Sequence, residues 1–122
     1  MDLKLEVVQV PVSDVDRAKA FYVDQCGFNA DHDHQVTDDL RFVQLTPPGS
    51  ACSIVIGPPT KMVPGSLEGL QVVVESAAAV REELAARGVE VSDLQEFPWG
   101  RFVFFSDPDG NGWAVQEPIR PA

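Results

Sequence analysis

Histidine and cysteine are scarce in this 122-residue chain, with two of each. Two cysteines, Cys26 and Cys52, are too few for a disulfide scaffold and suit a reducing cytoplasm. Basic residues are few as well. Nine Lys and Arg stand against 19 Asp and Glu, a formal charge of −10. That balance argues against nucleic acid, whose phosphates reward clustered cations. It allows a cationic ligand, or serves solubility alone. No apolar run approaches the ~18 residues of a membrane span. The opening Met1–Asp14 stretch lacks a basic segment followed by an apolar one, so no secretory signal is expected. What is present is 44% apolar residues, enough for one globular domain that buries roughly two-thirds of its unfolded surface.

The chain repeats itself. Leu5-Glu6-Val7-Val8-Gln9-Val10-Pro11-Val12 aligns with Leu67-Glu68-Gly69-Leu70-Gln71-Val72-Val73-Val74 at an offset of 62. Arg41-Phe42-Val43-Gln44-Leu45-Thr46 aligns with Arg101-Phe102-Val103-Phe104-Phe105-Ser106 at an offset of 60. Two blocks in the same order indicate a duplicated module. The Pro- and Gly-rich stretch between them reads as a linker. Module 1 is thus about 1–57, the linker about 58–66 and module 2 about 67–122, within a single domain.

Each module reads as β-α-β-β-β. Residues 4–12 are Val-rich without helical period and read as a strand. Ser13-Asp14-Val15-Asp16 is a helix start, and Ala18, Phe21, Tyr22 and Gln25 follow at helical spacing until Gly27. Strands are expected over 28–36, 41–46 and 52–56. The second module predicts strands at 69–75, 89–93, 101–106 and 112–117, with a helix over 76–87 stopped by Gly88.

The residues Val10-Pro11-Val12-Ser13-Asp14-Val15-Asp16-Arg17-Ala18, Phe21-Tyr22 and Gly27-Phe28 resemble the vicinal oxygen chelate superfamily. So does Phe105-Ser106-Asp107-Pro108-Asp109-Gly110-Asn111-Gly112-Trp113 near the other end. That group includes glyoxalase I, extradiol dioxygenases, fosfomycin-resistance enzymes and bleomycin-binding proteins. The resemblance implies an α+β fold of two tandem βαβββ modules forming a cup-shaped mixed sheet with helices outside. It also implies a homodimer. Function must be argued from the site, because one fold hosts many chemistries.

By the same resemblance, metal-dependent members place four His, Glu or Gln ligands on cup-facing strands. The matching positions here are Val7, Gly69, Gln44 and Ala114. Three cannot coordinate a divalent cation and the fourth is a neutral amide, so no metal cofactor is expected. His32 and His34 share a strand face and could clip a metal. Their alternation with Asp31 and Asp33 reads more simply as the polar face of a solvated strand. Cys26 and Cys52 read as inert core thiols, and Asp107 and Asp109 as parts of a turn.

If Gln44 faces the cup, strand alternation brings Phe42 with it, and the repeat brings Phe102 and Phe104. Val7 and Gln9 follow from the first strand, Gln71 from its equivalent and Gln116 from the last strand. Rings for apolar contact and amides for orientation suit an organic ligand. These inward glutamines are costly to bury without partners, which favours a wet cavity. Trp99, between Pro98 and Gly100, reads as an exposed stacking surface at the rim. The expected function is metal-free binding of an aromatic or cationic, antibiotic-like compound, of the drug-sequestering resistance type. The alternative is a glyoxalase-like lyase or isomerase, or another small-molecule enzyme of the same superfamily. Neither nucleic acid nor membrane is expected as a partner.

Overall fold

The computed structural model describes residues 1–119; the expected domain end at 122 lies outside them. Two four-stranded mixed sheets carry the architecture. In the first, β1 (Val7–Gln9), β2 (Asn29–Thr37), β3 (Leu40–Thr46) and β4 (Ser53–Ile56) lie in the order β1-β4-β3-β2. In the second, β5 (Leu70–Val73), β6 (Gln95–Phe97), β7 (Gly100–Ser106) and β8 (Gly112–Pro118) lie in the order β5-β8-β7-β6. The first strand of each module runs parallel to the last, and the other pairs are antiparallel. The internal repeat is thus a repeat of topology.

Both helices begin where short polar side chains satisfy free backbone donors. Asp14 accepts from the Arg17 amide at 3.0 Å to start α1 (Val15–Ala20). Ser76 accepts from the Ala79 amide at 3.1 Å to start α2 (Ala77–Ala86). From Phe21 to Gln25 the first helix widens into a π-helical turn, and Phe21 and Tyr22 are both buried there. Gly57, just before the linker, and Gly65, within it, stand at positive φ, where a side chain would overlap the Arg41 and Asp109 carbonyls respectively.

Two strand expectations need correcting. The strand expected over 4–12 is limited to Val7–Gln9, where β4 pairs with it. The segment 89–93 makes only an isolated bridge, Val91 with Phe105, and the edge strand starts at Gln95. Ser92 is the reason. Its amide donates to the Phe104 carbonyl, but its hydroxyl accepts the Phe104 amide at 2.9 Å. A side chain thus takes the place of a backbone partner and interrupts the ladder.

The inner faces of both sheets share one core. Val43, Leu45, Ile54 and Ile56 from the first sheet join Val103, Phe105, Trp113 and Val115 from the second, with Phe21, Tyr22 and Leu84. Polar groups lock this joint. Tyr22 Oη donates to Asp107 Oδ2 at 2.8 Å and accepts from Trp113 Nε1 at 3.0 Å. Asp107 Oδ1 accepts the amides of Asp109, Gly110 and Asn111. Asn111 then donates to the Pro11 carbonyl at 2.8 Å and accepts from the Leu67 amide at 3.1 Å. Burial, then the Asp107 charge, pushes the Tyr22 hydroxyl well above the usual phenol range. The Asp107–Asn111 motif therefore joins the two halves.

Candidate functional site

Because the inner faces share one core, the opposite faces of the two sheets are turned away from it. Strand register assigns the expected lining residues to these outer faces. In the first sheet Gln9 and Gln44 both pair with Val55, and Val7 pairs with Ser53. Phe42, two residues from Gln44, lies on the same face. In the second sheet Gln71 pairs with Ala114, which pairs with Phe104, while Gln116 pairs with Phe102. The nine residues thus form two groups: Val7, Gln9, Phe42 and Gln44, and then Gln71, Trp99, Phe102, Phe104 and Gln116. Among the described residues no hydrogen bond or ring contact joins one group to the other.

The second group is an aromatic shelf. Phe102 and Phe104 stack with centroids 5.9 Å apart and planes 7° from parallel. Phe97 meets Phe102 edge-on at 5.5 Å and stacks on Trp99 at 5.4 Å and 12°. Phe102 is buried beneath its neighbours at 5% exposure, while Phe104 at 37% and Trp99 at 61% offer open ring area. Phe97 escaped sequence reasoning, because the displaced edge strand was read too early in the chain. Its position opposite Gly100 is what lets it join the row. Two amides steady the shelf: Gln71 donates to Gln116 at 2.8 Å, and Gln116 donates to the Trp99 carbonyl at 3.3 Å.

The first group is more polar. Gln9 donates to the Pro58 carbonyl at 2.8 Å, which ties the linker to β1. Gln44 donates to Ser53 Oγ at 3.3 Å, beside the Thr46 hydroxyl. A cavity of about 520 Å³ lies apart from the aromatic shelf. It runs along the free edge of β5 between Phe28, the Pro47–Ser50 turn and α2, and Gln71 alone of the nine lines it. The exposed rings of Trp99 and Phe104 lie outside this cavity.

The positions that would hold a metal in metal-dependent relatives do not fit one. Val7 and Ala114 offer no donor, Gly69 no side chain, and the Gln44 amide nitrogen is turned to a serine. Nucleophilic chemistry finds no support at Cys26 either. Burial pushes its thiol up to about 12, leaving it protonated at neutral pH. Among the described residues no helix is long and apolar enough to cross a membrane.

Comparison with known proteins agrees with this architecture. The family model for the Glyoxalase/Bleomycin resistance protein/Dioxygenase superfamily matches residues 4–115. The crystal structure of TnmS3, an antibiotic binding protein from Streptomyces sp. CB03234, is similar at 38% identity and a TM-score of 0.88, covering 97% of this chain and 98% of that one. A glyoxalase/bleomycin resistance protein from the same organism has 38% identity and a TM-score of 0.82, with 93% and 100% covered. The uncharacterized protein YetH of Bacillus subtilis (strain 168) is 30% identical over 118 residues, 93% of this chain and 98% of that protein.

Proposed function

The chain belongs to the Glyoxalase/Bleomycin resistance protein/Dioxygenase superfamily, and from that premise we propose that it binds a planar aromatic, antibiotic-like compound and so sequesters it. The observation that carries this reading is the ring row Trp99–Phe97–Phe102–Phe104, open at Trp99 and Phe104. A flat ligand extends such a row by stacking, at about 0.5–1.5 kcal/mol per ring pair beyond its buried area. Similarity to an antibiotic binding protein supports the ligand class. The absence of donors at Val7, Gly69 and Ala114 supports binding without a metal at those positions. The free thiols Cys26 and Cys52 suit a reducing cytoplasm.

The full site is a homodimer's. One chain presents its stacking residues and its Gln9–Gln44 face on surfaces turned away from a common core, so a second copy is needed to bring the two kinds of face together. In that arrangement Val7, Gln9, Phe42 and Gln44 of one copy oppose Gln71, Trp99, Phe102, Phe104 and Gln116 of the other. Uncovered apolar residues lie where such a partner would sit. Leu3, Leu5 and Val7 alternate along the first strand and the arm before it, and Val73 is exposed on the edge strand β5.

Titration with a neutral flavonoid and a cationic acridine, followed by Trp99 fluorescence, tests the reading. Trp113 is buried in the core, so a Trp99→Phe variant isolates the responding ring. Saturable quenching in the parent and its loss in the variant are expected. If neither probe quenches Trp99 or raises the melting temperature, the binding reading fails. Light scattering at micromolar concentration should return the mass of two chains, and a monomer would overturn the shared site.

A further inference from the structure

We propose that His32 and His34 form a two-imidazole clip for a divalent transition-metal ion on the outer face of the first sheet. They are the only histidines in the chain. A β-bulge decides which way they face. Asn29 and Ala30 pair with Thr46 and Leu45, and then one residue, Asp31, is skipped. Without that skip His32 would oppose Val43 and turn toward the core. With it, His32 opposes Gln44 and His34 opposes Phe42, both on the outer face.

The rings are already close. Their centroids lie 5.7 Å apart with planes 30° from parallel. Imidazole nitrogens about 2.0–2.1 Å from one ion hold their ring centroids roughly 5 Å apart, so rotation about the side-chain bonds suffices to close the clip. Neither ring has another hydrogen bond or ion pair among the described residues, so no existing bond must break.

The surrounding charge favours a cation. Asp31 sits in the bulge beside His32, its carboxylate accepting from Thr46 and Asn29. Asp33 lies on the opposite face, where Lys19 and Arg41 bind it, so those cations are kept on that side of the strand. From β3 the pair meets only Gln44 and Phe42, both uncharged. Among the described residues no third His, Cys, Asp or Glu completes the group. The ion therefore keeps open positions for water, as two-ligand sites do, and binds Ni²⁺, Cu²⁺ or Zn²⁺ through borderline nitrogen donors. This site rests on the geometry of β2 and not on the aromatic shelf.

Calorimetric titration of the full chain with Ni²⁺ in a non-chelating buffer provides the test. One ion per chain is expected, weakened roughly tenfold or more by either His32→Gln or His34→Gln and lost in the double variant. Since β2 is exposed throughout, the double variant should keep the parent's circular dichroism and melting temperature. Cu²⁺ electron paramagnetic resonance should show coupling to two imidazole nitrogens. Absence of Ni²⁺ binding at micromolar metal, or equal binding by the folded double variant, would overturn the clip. The Ni²⁺ titration is read without any aromatic probe present, so failure of one proposal leaves the other standing.

Discussion

The outer faces of the two sheets stand on the same strand order and differ in almost everything the side chains do. The second carries four aromatic rings in contact, steadied by Gln71 and Gln116. The first carries one ring, Phe42, among amides, hydroxyls and two imidazoles. Their edges differ too: β2 is nine residues long and exposed throughout, whereas β6 has three residues. Duplication supplied the same backbone twice, and the side chains then diverged into a stacking half and a polar half. Apolar area gives affinity and sparse polar groups give orientation, so a site drawn from both halves has what either lacks.

The connections between the last two strands of each module offer the largest contrast. In the second, Asp107 gathers Tyr22, Asn111 and three backbone amides in a buried joint between the halves. At the equivalent place in the first, Ser50 binds only backbone of its own turn, at Pro47 and Cys52. Asp107→Ala is expected to cost about 3–5 kcal/mol, because several buried donors lose their acceptor at once. Tyr22→Phe should cost about 1–3 kcal/mol, as Asp107 keeps its other donors. Ser50→Ala should stay within about 0.5 kcal/mol. Urea denaturation measures all three, and equal losses for Asp107→Ala and Ser50→Ala would remove the distinction between the turns.

The elements that follow local chemistry were legible in the sequence. The helices start at the expected places, within Ser13–Asp16 and at Ser76, and the repeated blocks fold as repeated topology. Elements that depend on tertiary partners were not. The strand expected at 89–93 gave way at Ser92, whose hydroxyl competes for a backbone amide, and alternation alone cannot register such a bond. The nine-residue first strand expected over 4–12 pairs only through Val7–Gln9, where β4 faces it. Alternation gave the lining residues their common faces, but the bulge at Asp31 that aims the histidines has no sequence mark. Nor does residue pattern reveal which face of each sheet the other module covers.

Ligand affinity gives a smaller and more specific contrast. Phe104→Ala removes an open ring from the shelf and is expected to weaken acridine binding by about 0.5–1.5 kcal/mol, roughly two- to tenfold. Phe42→Ala should do less, since no other ring stacks with it on the first sheet. Because Phe104 is part exposed, its variant should remain folded, so the loss is read as binding. Equal effects from both variants would mean that the halves share the stacking, and that the ligand lies between two faces of equal weight.

Arg41 and Arg101 stand at matching positions 60 residues apart and give the smallest contrast. Arg41 reaches Asp33 at 2.9 Å and Asp16 at 2.6 Å, while Lys19 reaches the same Asp33 at 2.7 Å. Arg101 meets Glu96 at 3.2 Å. Hydrogen bonds from Arg41, then Lys19, hold the Asp33 carboxyl well below the usual carboxylate range. A carboxyl lowered in the folded state stabilises above its unfolded pKa of about 3.9, and that contribution is lost as pH falls below it. Asp33→Asn should therefore cost stability at pH 7, by no more than about 1 kcal/mol because solvent screens the cluster. The deficit should shrink below about pH 4 and in high salt. Glu96→Gln, on the matching edge of the second sheet, should show less deficit at pH 7. Urea midpoints of the two variants across pH make the comparison, and a deficit for Asp33→Asn that persists in acid would trace its effect to packing instead of charge.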